Sequence, residues 1–279
     1  MGFLPGSQAA LEVSGEPFAD DWGKAPSRNA NMAGLQLARV AMDHLAGLSI
    51  LLRTHKPVCV YGPSSLARST IEVASRSYYL LEPGLLPLER IRRHESDRLM
   101  SLWEQKRIAE AASGTTSAKM QAAIDHLDSR MKTVVESAKR HGLTPRVKDL
   151  KRPPFIAGLG VTKGVGATDL VEALIGQGNG LGTVSYQTMS AVAHGRQHGM
   201  MQYLKSQGVL LDRTHGDAFG MIEATAQQAA VDLAGTPLAA FRMLDRLYDH
   251  FGWPSGEVGP AARRLLQVWA RIAEIPMSN

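Results

Sequence analysis

The segment 66-LARSTIEVASRSYYLLEP-83 decides the fold class, because its polar and apolar residues separate at a helical period. At 100° per residue, one arc carries most of its polar side chains, namely Arg68, Glu72, Ser75, Arg76 and Tyr79. The opposite side is filled by aliphatic and aromatic residues. The pattern predicts an amphipathic α-helix that ends where Pro83 and Gly84 follow.

The same period recurs on both sides of this segment and predicts an all-α protein, a multi-helix bundle of seven or eight helices. The predicted long helices cover 29–52, 66–81, 88–112, 117–140, 183–205, 217–234, 237–251 and 260–275, with a shorter one over 168–176. Ser64 or Ser65 is the predicted N-cap of the second helix. A brief extended stretch is predicted at 208-GVLLD-212.

The domain organisation follows from where this periodicity is missing. Residues 1–28 carry Gly, Pro, Ser and Asp without a period, which predicts an irregular N-terminal arm. Residues 29–279 are predicted to form one helical domain. It contains a long loop over 142–166, where prolines and glycines cluster. Gly142 is predicted to end the helix before this loop.

Composition narrows the class of protein. The chain has 279 residues, 44% of them hydrophobic and 20% charged, which is typical of a globular chain with a sizeable core. A single cysteine, Cys59, excludes an internal disulfide framework and a multi-thiolate zinc site. Its apolar neighbours predict a buried thiol. No cofactor is predicted.

The N-terminal residues bear on location. They have no basic start and no long apolar core, so no secretory signal is predicted. We predict no segment with the roughly 20 apolar residues that are needed to cross a bilayer. We therefore expect a cytoplasmic protein without a membrane partner.

The positive charge of the chain is local. The formal net charge is +5, and the window 128–152 holds eight Lys or Arg against three acids, a surplus of five, so the remaining chain is neutral. A basic surface on a neutral body is a candidate phosphate-binding surface, and a nucleic acid is the partner it suggests. The alternative is a set of solvated helix ends and loops.

The segment 185-SYQTMSAVAHGRQHGM-200 is the main candidate for chemistry. In a helix over 183–205, an i, i+4 track joins Tyr186, Ser190, His194 and His198. This helix is apolar nearly all round, which predicts that both imidazoles are partly enclosed. Three interpretations stay open: a buried structural histidine, a metal pair, and acid–base chemistry by His194. We predict no metal site, because 194-HGRQH-198 lacks the glutamate of H-E-x-x-H.

The pairing of 66-LARSTIEVASRSYYLLEP-83 with 186-YQTMSAVAHG-195 resembles a set of helical, largely uncharacterised actinobacterial proteins. These combine an R-x-x-x-E helix with a Y-x-x-x-S-x-x-x-H-G helix, and they in turn resemble the HEPN superfamily of helical ribonucleases and defence toxins. The resemblance covers about a fifth of the chain. It implies a homodimer and metal-independent RNA cleavage by an arginine and a histidine.

The HEPN signature R-x(4–6)-H departs from this sequence at its arginine. Carried onto His194, the arginine belongs at 187–189, which holds Gln, Thr and Met. We therefore expect Arg68 or Arg76 to supply the missing guanidinium and hold phosphate, with Glu72 orienting His194. Tyr186, Ser190, His198 and Tyr79 are the predicted substrate-binding residues.

Two functions are kept from different classes. The first is an RNA-binding or RNA-cleaving protein, a candidate metal-independent ribonuclease with a defence role. The alternative is a small-molecule-binding protein or biosynthetic enzyme whose apolar pocket is lined by Tyr78, Tyr79, Tyr186, Met189 and Met201.

The dense segment 89-ERIRRHESDR-98 is predicted to form a surface ion-pair network, since its acids and bases alternate.

Overall fold

The computed structural model describes residues 2–16, 18–19, 22–54, 59–112, 118–147, 153–200, 203, 210–212, 217–219 and 224–274. The helices are α1 (Gln8–Val13), α2 (Pro26–Thr54), α3 (Tyr61–Leu80), α4 (Pro87–Ala112), α5 (Ala118–Arg140), α6 (Ala167–Val171), α7 (Leu181–Ala193), α8 (Gln197–Met200), α9 (Ala226–Asp232), α10 (Gly235–Phe251) and α11 (Val258–Ala273). A π-helical turn covers Glu172–Gly176. The strands are β1 (Thr144–Arg146), β2 (Phe155–Ala157), β3 (Leu210–Asp212) and β4 (Asp217–Phe219).

The predicted all-α fold class is confirmed. Among the described residues, seven helices have 13 or more residues, and the two sheets are single antiparallel pairs of three-residue strands. The chain divides into two compact units: unit 1 is Met1–Ala33 with Leu80–Val165, and unit 2 is Gly34–Tyr79 with Gly166–Asn279. The prediction of a single domain over 29–279 stays a prediction.

Unit 1 is built on α4 and α5. These helices follow one another in the sequence and pack antiparallel around a shared apolar core. The most deeply buried aliphatic side chains on these helices include Ile91, Leu99, Leu102 and Val134. The predicted irregular arm is wrong at residues 8–13, which form α1. The Ser7 hydroxyl accepts a bond from the Ala10 N–H at 3.2 Å and caps this short helix.

The segment 89–98 was predicted to be a surface network, and that is wrong for its central arginines. Arg90 is 1% exposed and Arg92 is 2% exposed. Arg90 donates to both carboxylate oxygens of Glu12 at 2.8 and 2.9 Å and also to backbone carbonyls. Arg92 binds Glu89 at 2.7 Å and the Ile156 carbonyl. The spacing of charges predicted the local pairs, while burial depends on α1 and β2, which lie far away in sequence.

The long loop over 142–166 contains a small hairpin. Gly142 has φ +71° and ends α5, as predicted. Strands β1 and β2 then pair antiparallel, with Thr144 opposite Ala157. Residues 148–152, which carry part of the predicted basic window, lie outside the described residues.

In unit 2 the start of α3 differs from the prediction. The helix begins at Tyr61, with Pro63 in its first turn, where a proline has no N–H bond to lose. Ser64 donates its hydroxyl to the Val60 carbonyl at 2.8 Å and is therefore not the N-cap. Cys59, just before the helix, is exposed, so the predicted buried thiol is wrong.

The predicted helix over 183–205 is also wrong, because the chain turns at Gly195. That residue has φ +61°, and the Arg196 N–H binds the Ala191 carbonyl at 2.9 Å. This is a Schellman end, which glycine adopts at the lowest cost. Helix α8 then lies directly on α7: a Cβ atom on Gly199 would come within 2.7 Å of the Val192 nitrogen.

Two further elements of unit 2 can be compared with their predictions. The extended stretch at 208–212 is confirmed at β3. The predicted helix over 217–234 is wrong in its first half, because Asp217–Phe219 is β4 and the helix α9 starts only at Ala226. Short amphipathic strands and helical turns have similar patterns over so few residues.

Helix α2 is long and apolar enough to cross a membrane by length and composition alone. Ala38, Ala41 and Leu48 are buried inside the protein. A core helix of a soluble protein satisfies the same criterion, so this one helix is weak evidence of a membrane span.

Candidate functional site

The structure brings together four of the predicted site residues, Arg68, Glu72, Arg76 and Tyr186, which we name the arginine–tyrosine cluster. The Tyr186 hydroxyl donates to Glu72 Oε2 at 2.9 Å and accepts from Arg68 Nη2 at 3.0 Å. The Arg68 guanidinium also lies over the Tyr186 ring, 5.2 Å from its centroid. These contacts join α3 to α7 across more than a hundred residues of sequence.

Glu72 is the centre of the cluster. Its carboxylate lies 3.4 Å from Arg68 Nη2 and 3.3 Å from Arg76 Nη2, one helical turn away on each side. The side chains of Arg68 and Arg76 are 26% and 35% exposed, so both guanidinium groups are accessible from solvent.

Arg68 has a donor that the cluster does not use. Its Nε atom is buried and has no hydrogen-bond acceptor within the part of the chain that the structure describes. A buried donor without a partner loses the free energy of its bond to water, which an incoming acceptor would restore. The cluster therefore offers an anion two part-exposed guanidinium groups and an N–H donor that no described residue satisfies.

Tyr186 acts as a neutral donor in this cluster. Burial of its ring raises the pKa of the phenol, and the Glu72 carboxylate raises it further, while Arg68 lowers it. The phenol is 7% exposed and remains protonated at neutral pH. It can position Glu72 and Arg68, but it is not suited to act as a base.

The direction of packing between α3 and α7 fixes where His194 lies. Val60 and Val192 share one apolar cluster, while Arg68 contacts Tyr186, so the two helices run antiparallel. His194 is eight residues after Tyr186, and at a rise of 1.5 Å per residue this is about 12 Å along the helix axis. The imidazole therefore lies level with the beginning of α3, away from the Glu72 carboxylate.

His194 and His198 are both exposed, so the prediction that they are partly enclosed is wrong. His194 is the C-cap of α7, and His198 lies in α8 after the turn. Ser190 is half-buried, one turn from Tyr186, and its carbonyl accepts the His194 N–H at 3.0 Å. Tyr79 is half-buried near the end of α3, seven residues beyond Glu72. The predicted single track of four side chains is thus divided.

Metal coordination finds no support in this geometry. Within the described residues, no group of three or more His, Cys, Asp or Glu lies where it could hold a metal ion. The i, i+4 spacing of His194 and His198 also loses its helical meaning, since Gly195 ends the helix between them.

The residues predicted to line an apolar pocket have other contacts. The Arg246 guanidinium lies 3.2 Å from the centroid of the Tyr78 ring and donates to the Tyr78 carbonyl. Met189 is 1% exposed and belongs to the core. Met201 lies outside the described residues. The small-molecule function stays a prediction.

Sequence reasoning missed one polar arrangement beside α7. Glu172 accepts backbone N–H bonds from Gly178, Gly180 and Thr183 at 2.8 to 3.1 Å. These bonds lower the pKa of the Glu172 carboxyl. The signal was present in the glycines of 176-GQGNGLG-182: a Cβ at Gly182 would meet the Val171 carbonyl at 2.7 Å. The carboxylate serves the fold by holding the start of α7.

Comparisons of this chain with protein-family models, with curated proteins and with solved structures give no significant match. The resemblance to the HEPN superfamily therefore stays a prediction, and the function must be inferred from the geometry of this chain alone.

Proposed function

We propose that this protein binds RNA and holds a backbone phosphate at the arginine–tyrosine cluster. The observation that carries the proposal is the pair of part-exposed guanidinium groups of Arg68 and Arg76, one helical turn on each side of Glu72, together with the Arg68 Nε donor that no described residue satisfies. Guanidinium groups bind phosphate oxygens through paired N–H donors, and partial burial strengthens such bonds. Tyr186 keeps Arg68 in place through its hydroxyl.

A second basic surface supports a polymer as the ligand. In unit 1 five cationic residues of the predicted basic window are exposed, and three of them form this surface because they fall within about 100° of one another on α5: Lys132, Lys139 and Arg140. The other two are Arg130 and Arg146. RNA carries a phosphate at every nucleotide and can contact several basic surfaces, while a single small anion can occupy only one. Each neutralised phosphate adds an entropic gain from released counterions.

The proposal is for binding rather than for cleavage by His194. General acid–base catalysis requires the imidazole within hydrogen-bond reach of the reacting group. The axial separation of about 12 Å between His194 and Tyr186 is larger than that reach. An exposed imidazole at a helix end can still contact RNA through its ring nitrogens.

The test is a titration of fluorescein-labelled single-stranded RNA by fluorescence anisotropy at low and moderate salt. Arg68→Ala/Arg76→Ala should weaken binding about tenfold and reduce the slope of log affinity against log salt. Arg39→Ala is the matched control, since Arg39 is an exposed arginine on α2. Binding that is unchanged in the double variant, or no binding by the wild type at low salt, would contradict the proposal.

A second arm separates binding from cleavage. End-labelled RNA is incubated with the wild-type protein and with His194→Ala in the presence of a chelator, and the products are resolved on a gel. We expect intact RNA in both reactions. Products formed by the wild type and lost in His194→Ala would show that the protein is a metal-independent nuclease and that binding alone is the wrong description.

A further inference from the structure

Helix α11 is apolar on two faces, and only one of them is used. On the first face Ala262, Ala270 and Ala273 are buried, and Trp269 donates its indole N–H to the Ala230 carbonyl at 2.6 Å. On the second face Leu265, Val268 and Ile272 remain 42%, 52% and 45% exposed. Exposed apolar side chains aligned on one helix indicate an interaction surface more than isolated ones do.

Together with the half-buried Val258, the exposed apolar residues of this second face have the spacing of a helix–helix seam. Val258, Ala261, Leu265, Val268 and Ile272 follow one another at intervals of three, four, three and four residues, which we name the α11 seam. This is the a/d repeat of a coiled coil, a narrower stripe than the wide apolar face of a membrane-surface helix. The occupant it suits is another helix.

Charges along one edge of the seam identify that helix. Glu257, Arg264 and Arg271 are seven residues apart and lie on the same side of the seam. When two identical helices pair antiparallel about a two-fold axis, the same edge of each copy faces the other. Glu257 of one copy then lies opposite Arg271 of the second copy, and this pair occurs twice per dimer. At the two-fold axis, Arg264 of one copy lies beside Arg264 of the second copy.

The apolar residues select the same register. The alignment that pairs Glu257 with Arg271 also places Val258 opposite Val268 and Ala261 opposite Leu265 of the second copy. Charge and apolar spacing thus agree on one symmetric arrangement, as an isologous interface requires. We propose that two copies of this chain associate antiparallel through the α11 seam.

An anionic membrane is the competing occupant, and the charge of α11 does not favour it. Over 257–274 there are three arginines and two glutamates, a surplus of one positive charge. Each basic residue near an anionic lipid surface contributes about 1 kcal/mol, so this surplus gives little attraction.

The first experiment is sedimentation velocity of the full-length chain over a range of concentrations. The wild type should move toward twice its 30.1 kDa mass as its concentration rises. Val268→Glu places a charge in the seam and should give a monomer with an unchanged circular dichroism spectrum. Val184→Glu is the control, because Val184 is a 63% exposed valine on α7, outside the seam, and should leave the dimer intact.

The second experiment tests the register without touching the apolar residues. Arg271→Glu replaces two attractive pairs by two repulsive ones and should raise the dimer dissociation constant about tenfold. Glu257→Arg combined with Arg271→Glu restores both pairs with reversed sign and should restore the dimer. A double variant as weak as the single one would overturn the antiparallel arrangement.

Two other outcomes would overturn the proposal as a whole. One is a wild-type monomer at every concentration, or a dimer that Val268→Glu leaves unchanged. The other is a monomer that binds vesicles of phosphatidylcholine and phosphatidylserine and loses this binding in Val268→Glu, which would identify a lipid surface as the occupant.

Discussion

The two units each hold a cluster of arginines and glutamates centred on one helix, and the two clusters differ in exposure and in how fully their donors are used. In unit 1 the ionic network contains four arginines and four glutamates: Arg90, Arg92, Arg93, Arg98, Glu12, Glu82, Glu89 and Glu95. Arg90 is 1% exposed and uses its Nε, Nη1 and Nη2 donors. In unit 2 the two arginines of the arginine–tyrosine cluster are 26% and 35% exposed, and the Arg68 Nε donor has no acceptor among the described residues.

This difference separates a structural network from a candidate binding site. A buried, balanced network leaves no charge for a ligand, and it tolerates no loss of a partner, because the remaining charge would be buried alone. A part-exposed cluster costs less to alter, since water can replace lost bonds.

Removal of Glu12 should have the largest effect on stability. Glu12→Ala leaves the Arg90 guanidinium buried without its carboxylate partner, and we expect a loss of about 3–5 kcal/mol in the free energy of unfolding. Urea titration followed by circular dichroism measures it. Glu104→Ala removes an exposed glutamate of α4 and serves as the control. A loss below about 1 kcal/mol for Glu12→Ala would remove the distinction between the two clusters.

Acidification should destabilise unit 1 through His94. Burial lowers the pKa of the His94 imidazole to about 4, and the nearby Arg98 charge adds to this. Because the unfolded chain binds a proton near pH 6.5 and the folded chain only near pH 4, stability is present above pH 6.5 and falls as pH falls through this window. The total loss is about 3 kcal/mol.

The measurement for His94 is a difference between two proteins at several pH values. Relative to His94→Gln, the wild type should lose stability between pH 6.5 and about pH 4, while above that window the difference stays constant. Glu95, whose pKa is raised by burial, titrates in both proteins, so its contribution largely cancels. A flat difference across the window would contradict a buried neutral imidazole. His126→Gln, on the exposed side of α5, is the control.

Tyr186→Phe should have a smaller effect. It removes the hydroxyl that bonds Glu72 and Arg68, and both partners are about a quarter exposed to water. We expect a loss of about 1 kcal/mol in the free energy of unfolding. Tyr248→Phe, on α10, is the control for the change of residue type. A loss comparable with that of Glu12→Ala would mean that the arginine–tyrosine cluster is mainly structural.

The smallest effect on stability is expected for Lys132→Ala/Lys139→Ala, two exposed lysines one above the other on α5. Stability should change by no more than about 0.5 kcal/mol. The slope of log RNA affinity against log salt should fall by about 1.4, because each lost contact to single-stranded RNA contributes about 0.7. An unchanged slope would remove the second basic surface from the proposed function.

The helices could be predicted from the sequence where they are long and periodic. The amphipathic spacing of α3, α4 and α5 predicted their type, and for α4 and α5 it also predicted both ends to within one residue. Gly142 predicted where α5 ends, while the start of α3 was predicted five residues too late. Elements of three to seven residues, such as α1 and β4, carry too few residues to establish a period. The pattern also cannot report burial of charge: Arg90 is buried because Glu12 arrives from another part of the chain.

The site was predicted in part, and the failure has a local cause. Arg68, Glu72 and Tyr186 share faces of two helices and meet as expected. His194 was expected beside Glu72, but it lies about 12 Å along the helix axis from Tyr186. Gly195 then ends the helix before His198. From the sequence alone, Gly195 indicates only that a helix here is destabilised by about 1 kcal/mol relative to alanine. Its left-handed conformation depends on how α8 packs.

The carboxylate of Glu172 couples the hydrogen exchange of three backbone amides that are separate in sequence. Gly178, Gly180 and Thr183 all donate to it. When that side chain swings away, deuterium from the solvent gains access to all three sites in one opening event. Their exchange rates should therefore rise and fall together, so the turn and the beginning of α7 behave as a single kinetic unit.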